Sequence, residues 1–71
     1  MATTLTEFLN WWIQHFEPGS LKRASDLERS LVDVPYDDLP TRFVSGLKSW
    51  RRASKARRKV LASRLLRRTL P

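Results

Sequence analysis

Residues 48–68 read KSWRRASKARRKVLASRLLRR, and the way this stretch folds decides what the remaining residues must do. It holds ten cations, Lys48, Arg51, Arg52, Lys55, Arg57, Arg58, Lys59, Arg64, Arg67 and Arg68, and no acid. Ala, Leu, Arg and Lys are good helix formers, and neither Gly nor Pro lies between Leu47 and Leu70, so the pattern predicts one helix that only Pro71 stops. The whole chain has 14 Lys and Arg and seven Asp and Glu. Four basic residues and all seven acids therefore fall in residues 1–47, which carry −3, while residues 48–71 carry +10.

At 71 residues the chain has room for one domain, near the size (~70–80 residues) below which a single core stabilises weakly without a staple. It has no cysteine and one histidine, which excludes disulfides, thiolate zinc sites and a histidine-built structural metal site. No cofactor is expected. The remaining staple is a second copy of the chain, so a homodimeric helical assembly is expected. The N-terminal apolar run lacks basic residues before it and is broken by Glu7, Asn10 and Gln14. It reads as neither a signal peptide nor a membrane span, and cytoplasm or nucleus is the expected location.

Upstream of the basic stretch, Thr4-Leu5-Thr6-Glu7 fits a capping box and starts a helix at about Leu5. Leu5, Phe8, Leu9, Trp12, Ile13 and Phe16 share one face at helical spacing, with Trp11 at its edge and Glu7, Asn10, Gln14 and Glu17 opposite. Glu17-Pro18-Gly19-Ser20 is a turn, and a second helix from about Leu21 carries the stripe Leu21, Ala24, Leu27, Leu31 and Val34. Lys22, Asp26, Arg29 and Asp33 form its wet side, with Glu28 nearer the stripe. The short link predicts a helical hairpin. Val34-Pro35 ends the second helix, Asp37 or Asp38 caps a third, and Pro40 sits in its first turn. The third helix runs from Leu39 or Pro40 to Leu70, with Phe43, Leu47 and Trp50 on one side and Gly46 as a point of close backbone approach. Thirty helical residues span roughly 45 Å, so the basic end should project from the body formed by residues 1–47.

The expected fold class is thus all-α: a helical hairpin plus a long basic C-terminal helix, in one domain. Phe8, Trp11, Trp12, Phe16, Phe43, Leu47 and Trp50 are assigned to core or interface, Trp11 being placed at a dimer contact and Trp50 beside Arg51 and Arg52 where an indole can meet a guanidinium or a base.

An enzyme is not expected, since the chain lacks Cys, a glycine-rich phosphate loop and a nucleophile elbow. His15 reads as an edge histidine and Asp37-Asp38 as caps rather than metal ligands. The ten cations differ from an ordinary solvated face, which mixes signs at i±4. Their mutual repulsion is relieved by a polyanion, and arginine's planar fork favours phosphate. Residues 48–68 contain no Asn or Gln, so the amide contact to adenine is missing and backbone recognition is favoured over base reading. All ten are assigned to nucleic-acid binding, duplex RNA ahead of DNA.

The runs at 51–59 and 64–68 are similar in composition to the arginine-rich RNA-binding helices of small viral regulatory proteins, a resemblance covering under a third of the chain. It implies a small viral accessory protein, for example a suppressor of RNA silencing that holds duplex RNA of any length. Two rivals share the same residues. One is a protein-interaction module whose basic helix is a nuclear import signal or a partner ligand anchored by Trp50 and Leu61 or Leu65. The other is an anionic-membrane binder inserting Trp50, Val60, Leu61, Leu65 and Leu66, disfavoured because Arg57 and Arg64 interrupt that face.

Overall fold

The computed structural model describes residues 3–69. Among them every regular element is helical: α1 (Thr4–Ile13), α2 (Ala24–Leu31), a 3-10 turn (Tyr36–Asp38), α3 (Thr41–Arg52) and α4 (Lys55–Thr69). The expected helix end at Leu70 and Pro71 lies outside the described residues.

Capping fixes the starts of α1 and α2, and three helix starts differ from the expected residue. Thr3, not Thr4, caps α1: it is extended, its Oγ1 accepts the Thr6 N–H at 3.1 Å, and the two hydroxyls bond at 2.9 Å. Glu7 then lies in the first turn, where its charge suits the helix dipole. α2 begins at Ala24 rather than Leu21 because Asp26 reaches back, accepting the N–H of Lys22 at 3.1 Å and of Arg23 at 3.0 Å. Both residues lie outside the helix, Arg23 in an extended conformation. Asp37 and Asp38 sit inside the 3-10 turn and make no side-chain cap, while Pro40 is the residue before the first turn of α3.

α1 buries Leu5, Phe8, Leu9 and Ile13, and α3 buries Phe43, Gly46, Leu47 and Trp50. Gly46 marks the point where these helices touch. A Cβ there would lie 2.9 Å from Phe8 Cγ, closer still to Phe8 Cβ, and 3.2 Å from the Thr4 carbonyl. α1 packs chiefly on α3 and α2 chiefly on α4, so the hairpin of the first two helices is not the main packing unit. Trp12 links the two pairs, its Nε1–H donating to Ser30 Oγ at 2.9 Å, and Ser30 in turn donates to the Leu27 carbonyl at 2.7 Å.

The expected single helix from Leu39 or Pro40 to Leu70 is two helices. Ala53 is extended at φ −67°, ψ 147°, and Ser54 caps α4 by accepting the Arg57 N–H at 3.2 Å. The break lets α4 fold back on α2 and bury Ala62, Leu65 and Leu66 with Leu27 and Leu31 in one core cluster. In a straight helix those three apolar side chains would leave the body, losing roughly 0.8 kcal/mol per buried methylene, more than one turn of helical hydrogen bonds returns net. The basic segment is therefore part of the body rather than a projecting arm. The described residues measure 31 × 28 × 24 Å, shorter in every direction than the 45 Å expected of the uninterrupted helix.

Candidate nucleic-acid interface

Folding α4 onto α2 sorts the ten cations. Ala62, Leu65 and Leu66 face the core, so by helical spacing Arg57, Arg64, Arg67 and Arg68 point away from it together with Val60, which is 51% exposed. Lys55 and Lys59 lie exposed toward the start of α2, and Arg52 and Lys48 are exposed on α3, the Lys48 ammonium 5.6 Å over the Tyr36 ring. No acidic residue occurs among residues 48–69 to interrupt these eight.

Arg51 and Arg58 are different, being half-buried and engaged within the chain. Arg51 Nη2 donates to the Val34 carbonyl at 2.6 Å and lies 3.3 Å from the Leu31 carbonyl, at the C-terminal end of α2, with the guanidinium 4.8 Å above the Tyr36 ring. A cation there answers carbonyls that have no helical partner. Arg58 Nε pairs with Glu28 Oε1 at 2.5 Å, its Nη1 donates to the Ala53 carbonyl at 3.2 Å, and it sits 5.9 Å over Trp50. It closes the break between α3 and α4 and fastens α4 to α2. Glu28, which lies nearer the apolar stripe than the wet side of α2, is there for this pair.

A groove of about 580 Å³ opens between the start of α2 and α4. Lys22 and Arg23 line one wall and Lys55, Lys59 and Arg67 the other, with Glu28 below. The sequence pattern left Lys22 on the wet side of α2 and gave Arg23 no role, because their meeting with α4 depends on the reversal at Ala53-Ser54. A shallower depression holds Lys59, Val60, Ser63, Arg64 and Arg67, so Lys59, Ser63 and Arg67 form the ridge between the two.

The aromatic residues form the core and its edge. Phe8, Phe43, Leu47 and Trp50 are buried, while Trp11, Trp12 and Phe16 are half-buried. Trp11 stacks on Phe43 with centroids 4.5 Å apart, and His15, whose Nδ1–H donates to the Trp11 carbonyl at 2.8 Å, meets the Trp11 ring edge-on. Phe8 is thus covered within one chain, while Trp11, Trp12 and Phe16 keep part of their surface exposed. Of the anchors expected for a partner protein or a membrane, Trp50, Leu65 and Leu66 lie in the core, while Leu61 is half-buried and Val60 exposed. Among the described residues no helix is long and apolar enough to cross a membrane, and no three His, Asp or Glu gather to hold a metal ion.

Electrostatics at the groove are governed by two pairs. The N–H groups of Arg23 and Lys22, and then the Arg29 guanidinium at 2.7 Å, hold the Asp26 carboxyl below its ordinary pKa. Glu28 is matched by Arg58. Neither carboxylate is left as an uncompensated charge facing the cations. No known protein family, curated protein or solved structure matches the chain, so the site's own chemistry carries the functional reading.

Proposed function

We propose that the chain binds duplex nucleic acid, RNA ahead of DNA, through phosphate contacts made by the outer surface of α4 and the end of α3, without reading base sequence. The observation that carries this is the exposed group Lys48, Arg52, Lys55, Arg57, Lys59, Arg64, Arg67 and Arg68, which lies in a stretch without acidic residues, the carboxylate lining the groove beside it, Glu28, being paired with Arg58. Packing does not require that charge. The apolar side of α4 is used in the core, and a surface of one sign adds self-repulsion that a polyanion relieves. Phosphate contacts position a protein but carry no sequence information, in keeping with a surface that presents Arg and Lys but no Asn or Gln. The RNA preference rests on shape. A-form RNA offers a wide, shallow minor groove between its phosphates, which accepts a helix embedded along one side in its own protein. The chain acts in cytoplasm or nucleus, as the homodimer that its size and aromatic face lead one to expect.

Fluorescence anisotropy with a duplex RNA, the same sequence as duplex DNA, and each single strand, over a salt series, tests this. With about six phosphate contacts the slope of log affinity against log salt is roughly −5, and scrambling the sequence at fixed length leaves affinity nearly unchanged. A slope near −1 with sharp dependence on base sequence, or no binding to any duplex, refutes it.

A further inference from the structure

The groove between α2 and α4 contains more cationic side chains than its packing uses. Lys22, Arg23, Lys55, Lys59 and Arg67 line it, all exposed, and none of the five side chains has a hydrogen-bond or ion-pair partner among the described residues. Two come from the acidic part of the chain, whose net charge opposes any interest in a polyanion. Their placement is enforced by backbone: the Asp26 carboxylate accepts the N–H groups of Lys22 and Arg23, and Arg23 is extended at φ −123°, ψ 158°. The carboxylate that would repel an anion from within the groove, Glu28, is paired with Arg58, and Asp26 with Arg29.

We propose that this groove is a second phosphodiester track, in which Lys22 and Arg23 hold one strand of the duplex whose other strand lies along the Arg64 side of α4. The inference rests on the duplex-binding reading and adds to it the residues of α2's approach and a direction for the duplex. Lys59, Ser63 and Arg67 line both the groove and the depression beside Arg64, so the ridge they form stands between two phosphate rows. Cations on such a ridge reach either row, and the two flanks each supply their own.

The test uses the full chain, a 20-base-pair RNA duplex as the probe, and the double variant Lys22→Ala with Arg23→Ala. Losing two phosphate contacts makes the salt slope shallower by about 1.8 and weakens binding about 30-fold at 0.15 M salt. Asp26 bonds to backbone N–H groups, so the substitution leaves its cap in place and the melting temperature stays near that of the unaltered chain. Lys55→Ala with Lys59→Ala, from the opposite wall, gives a similar decrement. Arg42→Ala is the charge control, since Arg42 is exposed in a separate depression with Glu7 and Trp11. A decrement per charge as large at Arg42 as in the groove shows a long-range charge effect and overturns the second track. So does an unchanged slope for Lys22→Ala with Arg23→Ala while Arg64→Ala with Arg68→Ala reduces it. In that last case the duplex-binding reading stands, whereas an unaltered chain that binds no duplex removes both.

Discussion

Replacing Arg51 by alanine removes a guanidinium from the carbonyl end of α2, whereas replacing its neighbour Arg52 removes one from solvent. The structure assigns these adjacent residues opposite consequences. Arg51 donates to the Val34 carbonyl at 2.6 Å, lies near the Leu31 carbonyl and covers Tyr36. A hydrogen bond from a charged donor contributes about 1.5–3 kcal/mol, and a cation at a helix C-terminus about 0.3–1 kcal/mol. These terms share one group and do not add fully, so the expected loss is ~2 kcal/mol. For a domain of this size each kcal/mol moves the midpoint by about 4–8 °C, giving a fall of roughly 10 °C. The Arg52 side chain is exposed with no hydrogen bond or ion pair among the described residues, and its loss should stay within about 0.5 kcal/mol. Thermal melts by circular dichroism measure this half, and duplex anisotropy at a temperature where both variants are folded measures the other. Arg52→Ala should make the salt slope shallower by about 0.9 if Arg52 meets a phosphate, and Arg51→Ala should leave it unchanged. Equal melting temperatures for the two variants would refute the division of the cations into structural and free.

Gly46→Ala should destabilise the chain in spite of alanine's better helix propensity, worth about 1 kcal/mol, because its Cβ overlaps Phe8 Cβ across the α1–α3 contact. Denaturant melts showing a midpoint at or above that of the unaltered chain would mean α1 can retreat freely. Asp26 gives a pH signature. Its carboxyl is held below its ordinary pKa by the Arg23 and Lys22 N–H groups and by Arg29, so its contribution is full above the unfolded value of about 4 and declines as pH falls through the lower folded value. Melting temperature followed from pH 6 to 2 should therefore drop less in Asp26→Asn than in the unaltered chain, the two profiles converging at the acid end.

How far the fold could be read in advance turns on phase rather than on residue type. α1 was legible because Leu5, Phe8, Leu9 and Ile13 recur at helical spacing and the structure buries those four. The Gly46 approach was legible because a glycine inside an amphipathic run has few other reasons to be there. The reversal at Ala53-Ser54 was not, since both residues occur inside helices and no Gly or Pro marks the place. Yet a signal existed: extended as one helix, the stripe Arg58, Ala62, Leu65 and Leu66 would sit roughly a quarter turn away from Phe43, Leu47 and Trp50. Two stripes out of register cannot face one body along a straight axis, and Ser54 offers the cap at which the axis can change. Reading the charge pattern alone concealed this, because ten cations look like a solvated rod whatever lies beneath them.

The reversal also changes what the charge means. On a free rod, all ten cations are equivalent and the acidic half of the chain is a spectator. Folded back, α4 gives up Arg58 to Glu28, and α3 gives up Arg51 to the end of α2, so two of the ten are used in holding the fold. In exchange α4 is brought against Lys22 and Arg23, two cations from the half whose net charge is negative. The surface offered to a polyanion thus depends on tertiary structure at its centre. Weakening the Arg58–Glu28 pair should loosen α4 from α2 and open the groove at the same time, which ties the binding surface to the stability of the core beneath it.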